Sequence, residues 1–96
     1  MSFSFHPAAE DEFAAAVDWY EACQPGLGVD FAVEVRAAIG RAVALPNAWA
    51  ELEPGIRRVL TQRFPYGVLY SPSGLDVLIL AVMHLAREPG YWKARI

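Results

Sequence analysis

An α+β fold in two layers is predicted for this 96-residue chain: a short N-terminal strand, a helical hairpin, then an antiparallel β-meander. Two observations predict it. Up to residue 45, apolar side chains recur three and four positions apart in two runs, the spacing of helices that bury one stripe. After residue 55 they recur at every second position, the spacing of strands. Helices grouped first and strands grouped afterwards place the hairpin on one face of the sheet. The length and the 55% hydrophobic content fit a single domain over residues 1–96 with one modest core.

Taken in order, SFSF at residues 2–5 reads as an opening strand that stops at His6-Pro7. Proline suits the first turn of a helix, where its missing amide hydrogen would have no partner anyway, so a helix is predicted from Pro7 to about Ala22. Ala9, Phe13, Ala16, Val17 and Tyr20 form its stripe. Glu10, Asp11 and Glu12 fall in its first turn, where favourable interaction with the helix dipole accounts for them without a further role. CQPGLG then breaks the pattern; Gly26 and Gly28 lack the remaining spacing of a phosphate loop and read as a turn between helices.

The second helix carries Phe31, Val35, Ala38, Ile39, Ala42 and Leu45 and must stop before Pro46. NAWAELEPG, residues 47–55, reads as a connector. Beyond it, Arg57, Val59, Thr61 and Arg63 alternate against Arg58, Leu60, Gln62 and Phe64, a strand exposed on one side. Pro65-Tyr66-Gly67 reverses the chain into VLYS, and Pro72-Ser73-Gly74 turns it again. DVLILAVMHLA, residues 76–86, is apolar on both faces, as a central strand should be, with Leu78, Leu80, Val82 and His84 on one parity. The sheet face away from the hairpin is expected to stay partly open and apolar, which favours homo- or hetero-oligomers.

Charge divides the chain. Residues 1–55 hold nine acids against Arg36 and Arg41, whereas residues 56–96 hold six bases against Asp76 and Glu88, within a net charge of -3. A basic half can mark a binding face, although arginines also keep edge strands soluble. The longest apolar run, Val77 to Met83, is too short to cross a bilayer, and the N-terminus lacks the pattern of a secretory signal, so a cytoplasmic protein without membrane contact is expected. Cys23 is the only cysteine, which excludes an intrachain disulfide or a multi-thiolate zinc centre. His6 and His84 are far apart, no HExxH occurs, and no serine or cysteine sits in a nucleophile elbow, so neither a metal nor any other cofactor is expected.

What remains is a basic and aromatic set: Arg57, Arg58, Arg63, His84, Arg87, Tyr91, Trp92, Lys93 and Arg95. Two readings stay open for it. These groups have the types needed to cut RNA without a metal, with a general acid, a general base and cations around the phosphate. They equally suit contacts to a protein target or partner. His84 itself reads either as a polar cap at the end of its strand or as a proton-transfer group.

The segments FHPAAEDEFAAAVDWYE, PGLGVDFAVEV, GIRRVLTQRFPYGVLY and VLILAVMHLAREPGYW, in this order, resemble the RelE/ParE superfamily of type II toxin-antitoxin toxins, and best its ParE-like, plasmid-stabilisation branch. The resemblance covers nearly the whole chain and implies the strand, hairpin and meander already read from periodicity. It also implies a growth-arresting toxin neutralised by a cognate antitoxin, with DNA gyrase as target for ParE-like members and messenger RNA on the ribosome for RelE-like ones.

RelE-like ribonucleases typically follow the hairpin strand's tyrosine with arginine, but here Tyr66 is followed by Gly67; their later arginine is also missing around Met83-His84-Leu85. Arg58 and Tyr91 do fall where such enzymes carry a basic residue and a terminal tyrosine. The resemblance therefore favours a toxin that binds a protein target, with all nine residues above as contacts. The alternatives are a ribosome-dependent endoribonuclease using Arg58, Arg63, His84, Arg87 and Tyr91, or a degenerate homologue without toxicity.

Overall fold

The computed structural model describes residues 2–96. It contains β1 (Ser2–Phe5), α1 (Pro7–Cys23), α2 (Leu27–Ala44), β2 (Ala50–Glu53), β3 (Ile56–Leu60), β4 (Tyr66–Ser73), β5 (Asp76–His84) and a terminal 3-10 turn (Lys93–Arg95). The five strands form one sheet in the order β1-β5-β4-β3-β2. β1 runs parallel to β5, and the remaining pairings are antiparallel.

α1 starts where the sequence places it. His6 is extended at φ -61 and ψ 139, its Nδ1 accepts the Ala8 N–H at 3.1 Å, and Pro7 opens the helix. Ala9 and Ala16 are its buried positions, with Phe13, Val17 and Tyr20 packed at the margin of the core. The hairpin turn follows at Gly26, whose φ of 89° favours glycine. Gly26 has no side chain with which to cap α2, so Glu21, near the end of α1, supplies the acceptor: its carboxylate receives the N–H groups of Gly26 at 2.9 Å and Gly28 at 3.1 Å.

Gly28 is a packing residue as well as a turn residue. A Cβ there would meet the Val17 carbonyl oxygen at 2.6 Å and Glu21 Cβ at 2.9 Å. Backbone cannot yield cheaply, so the clash outweighs the ~1 kcal/mol of helix propensity that alanine offers. Gly28→Ala is expected to destabilise the protein by about 2 kcal/mol. Gly40→Ala, in the same helix with nothing within 4 Å, should stabilise it by about 0.5–1 kcal/mol. Urea unfolding of the two variants checks the contrast; equal signs would contradict it.

α2 buries Phe31, Val35, Ala38, Ile39 and Ala42 as its stripe demands. Leu45 is a correction to that stripe: it is the residue after the last helical turn and is 59% exposed, because the helix ends at Ala44 ahead of Pro46. A second correction is β2, which lies inside the segment read as a connector. It pairs Ala50 with Arg58, Glu51 with Arg57 and Glu53 with Ile56, and its register shifts between Glu51 and Glu53. Ala50-Glu51-Leu52-Glu53 does alternate, but four residues are too short a run to reveal an edge strand; pairing defines it.

The strand predicted to run through Phe64 stops at Leu60. The Thr61 hydroxyl donates to the Phe64 carbonyl at 2.7 Å, and the Thr61 N–H donates to Tyr66 O, so a local turn replaces the ladder. That turn swings Phe64 into the helix-side core, with ring centroids 4.9 Å from Tyr20 and 5.2 Å from Phe31.

The expected single parity of β5 also fails. Leu69 pairs with Ala81 but Tyr70 with Ile79, so Leu80 is an additional residue in a β-bulge. Leu80 consequently faces away from the helices while Val82 faces them, and His84 lies beside Tyr66 on the helix side. One core layer therefore joins the hairpin to Val59, Val68, Tyr70, Val77, Ile79 and Val82. Within it the buried Tyr70 donates its hydroxyl to Pro46 O at 2.7 Å, which ties the end of the hairpin to the sheet.

A second layer contains Ile56, Leu69, Leu80, Ala81 and Met83, and it is covered by Trp92, which is only 4% exposed. This corrects the expectation of an open apolar face. The C-terminal tail folds back over it, while Leu52, Leu60 and Leu85 stay exposed.

Candidate functional site

The tail is held down through Glu12, one of the three acids in the first turn of α1. Glu12 projects from α1, and its carboxylate accepts the Tyr91 hydroxyl at 2.6 Å, two guanidinium nitrogens of Arg95 at 2.8 and 2.9 Å, and the Val82 backbone N–H at 3.1 Å. Arg95 also donates to Leu80 O at 3.0 Å. β1 ends at Phe5 opposite Ile79, so no strand covers β5 beyond that point. Glu12 and Arg95 meet the backbone groups of Leu80 and Val82 there, joining α1, the bulge and the tail in one polar cluster.

The electrostatics of this cluster are consistent with its geometry. Partial burial opposes ionisation of Glu12, but hydrogen bonds from Arg95, Tyr91 and Val82 outweigh it and hold the carboxyl below its ordinary value. Burial, together with the bond to Glu12, pushes the Tyr91 phenol well above its ordinary range, so it stays protonated and serves as a donor. Arg87 completes the group, with its guanidinium carbon 4.0 Å from the centre of the Tyr91 ring.

Most of the predicted contact residues find partners within the chain. Arg57 donates to Trp49 O at 2.8 Å and lies 3.7 Å from Glu51. Arg63 sits at α2, 2.6 Å from Glu34 and 3.7 Å from Asp30, well away from the tail-covered face. Lys93 lies 3.4 Å from Glu53. Trp92 is core, and Arg95 and Tyr91 belong to the Glu12 cluster. Arg58 differs from these, because among the described residues no carboxylate lies within ion-pair distance of it.

Arg58, Arg87 and Lys93 come together with Leu52, Met83 and Trp92 around a groove of about 360 Å³ between β2 and the tail. Gly67 lies beneath Arg58: a Cβ at Gly67 would approach Arg58 Cδ to 2.9 Å. The position where ribonucleases of the resembling superfamily carry arginine is thus covered by the aliphatic part of Arg58. His84 and Tyr66 line a separate shallow cleft with Trp19 and Glu12, which Arg87 also borders.

His84 closes β5 as a cap. Its Nδ1 accepts the Ala86 N–H at 3.0 Å, which places the neutral ring's proton on Nε2. Tyr91 is held protonated and the Glu12 oxygens are occupied by donors, so neither is placed as a general base while these bonds persist. The groove offers cations, apolar surface and an aromatic wall, which are means of binding.

Sequence reasoning missed Glu12 because three consecutive acids in a first helical turn look alike. The available signal was helical phase: Glu12, Ala9 and Ala16 are three or four residues apart and share one side of α1.

No protein-family model matches the sequence. No curated protein matches it either. Among solved structures, a chain of the "Chromosomal ParDE TA system from P. aeruginosa" superposes with a TM-score of 0.75 at 19% sequence identity, over 88% of this chain and 95% of that one. The strand, helical hairpin and sheet described above are therefore the fold found in that ParDE structure.

Proposed function

We propose that this chain is the ParE-like toxin of a type II toxin-antitoxin module, neutralised by a cognate antitoxin in the cytoplasm, and that it arrests growth by binding a protein target, DNA gyrase. The observation that carries the reading is the fold shared, at near-complete coverage of both chains, with a chain of a ParDE system. The groove supports binding over RNA cleavage: Arg58, Arg87 and Lys93 surround it, while His84 and Tyr91 are committed to hydrogen bonds within the chain. A net charge of -3 is also unfavourable for entry into an RNA-rich site.

Induced expression is expected to stop growth, and co-expression of an adjacent small reading frame to restore it. Purified protein should then inhibit a gyrase supercoiling reaction and leave messenger RNA on translating ribosomes intact. Cleaved message with normal supercoiling would transfer the assignment to a ribosome-dependent endoribonuclease. Unaffected growth would identify a degenerate homologue that keeps the fold alone.

A further inference from the structure

A helix lying on a sheet normally turns polar side chains to water, and α1 does so: Asp11 and Asp18 are exposed on the side opposite its buried Ala9 and Ala16. α2 does not. Helical phase puts Val29, Val33, Ala37, Gly40 and Ala44 opposite its buried Phe31, Val35, Ala38 and Ala42, and all five are exposed. The two valines project from the first half of the helix, 63% and 61% exposed. The second half is hollow: a Cβ at Gly40 would meet nothing within 4 Å, and Gly40 and Ala44 line a groove of about 410 Å³ with Phe3, Arg36, Ile39 and Val43.

Charge is divided along α2 in the same sense. Asp30, Glu34 and Arg41 stand together on one flank of the apolar line, acids in the first half and the base in the second. Arg57, Arg63, Arg87, Lys93 and Arg95 each lie within 4.0 Å of a carboxylate oxygen, whereas Arg41 and Arg58 have no such counter-charge among the described residues. Arg41 donates from Nη2 to Leu60 O at 3.0 Å. Asp30 is 53% exposed and only 3.7 Å from its ion-pair partner Arg63.

A helix whose two halves are complementary in shape and in charge fits a second copy of itself, run antiparallel about a two-fold axis. With that axis between Arg36 and Ala37, Val33 falls on Gly40 of the second copy and Val29 on Ala44, because each pair is equally spaced about it. Arg41 then falls level with position 32 of the second copy, between Asp30 and Glu34. Small Ala37 lies at the crossing and lets the helices approach closely.

We infer that the outward face of α2 is the interface of a homodimer, in which the valines of each copy fill the Gly40 groove of the other and Arg41 pairs with Asp30 across the axis. One helix per copy makes an interface below the standard size, so a Kd of about 50 µM is expected, with the chain monomeric near 1 µM. The pairing is independent of whether the protein is toxic.

Sedimentation of the full chain from about 1 to about 200 µM should follow the passage from monomer to dimer. Val33→Asp, with its thermal midpoint at low concentration unchanged, should remain monomeric throughout. Asp30→Arg and Arg41→Asp should each weaken the dimer about tenfold, and the two together should restore it. In a Cys23→Ser background, Ala37→Cys should cross-link on mild oxidation at the upper concentration, and Ala14→Cys, exposed on α1, should not. A chain still monomeric at the upper concentration would overturn the inference. So would a dimer indifferent to Val33→Asp, a double charge swap no better than either single change, or equal cross-linking at both positions.

Discussion

Replacing Glu12 by alanine is expected to lower the unfolding free energy by about 3 kcal/mol at pH 7, because it leaves the Arg95 guanidinium partly buried with no counter-charge. The Glu12 and Arg95 side chains are only 17% and 15% exposed, so solvent screens this pair less than a surface bridge. The same change removes the acceptor for the Tyr91 hydroxyl and the Val82 N–H. Glu12→Gln, which keeps the shape and one acceptor, should cost about 2 kcal/mol. Denaturant unfolding measures both; a loss below ~0.5 kcal/mol for the alanine variant would mean that the cluster does not hold the tail.

The pH dependence has a defined sign. The folded-state carboxyl of Glu12 lies below its ordinary value of 4.5, so the unfolded chain binds more protons in the acid range. The stabilisation is fully present above pH 4.5 and is lost as pH falls through the lower folded-state value. Wild type and Glu12→Gln should therefore converge in stability below that window and differ most at neutral pH. A difference that stayed constant down to the acid limit would show that the carboxylate charge is irrelevant.

Trp92→Ala is expected to have an effect of the same size or larger, about 3–4 kcal/mol. The indole covers Leu69, Leu80, Ala81 and Met83, and truncation leaves that layer either with a cavity or open to water. The variant should also self-associate, since removing the cover creates the exposed apolar face that the native tail conceals. Trp19→Ala provides the comparison, because Trp19 is 63% exposed and should change stability by no more than about 0.5 kcal/mol. Unfolding measurements with sedimentation analysis separate these results. Similar losses for the two tryptophans, or a Trp92 variant that remained monomeric and stable, would refute the role assigned to the tail.

Particular residues show why some features could be read early and others could not. Pro7, the Ala9 to Tyr20 stripe and Pro46 define the helices because helical phase and proline chemistry act over a few residues. The turn at Thr61 was misread because Arg57 to Phe64 alternates well; a single hydroxyl bond from Thr61 to Phe64 O outweighs that pattern. The bulge at Leu80 was invisible for a related reason, since an uninterrupted apolar run has no phase to lose. Its position depends on the register between β4 and β5.

The candidate site was harder to read than the fold. The sequence named the cations, but their state depends on acids far along the chain: Glu34 for Arg63 across 29 positions, Glu12 for Arg95 across 83. Periodicity, proline and glycine placement determined by themselves that this is a helical hairpin on a sheet, because those signals are local and backbone geometry answers to them directly. Only the tertiary structure decided that the second sheet face is covered, that Glu12 fastens the tail and that Arg41 and Arg58 are left without carboxylates. Those outcomes depend on which side chains meet after the chain has closed, and a charge carries no mark in the sequence of the partner it will find.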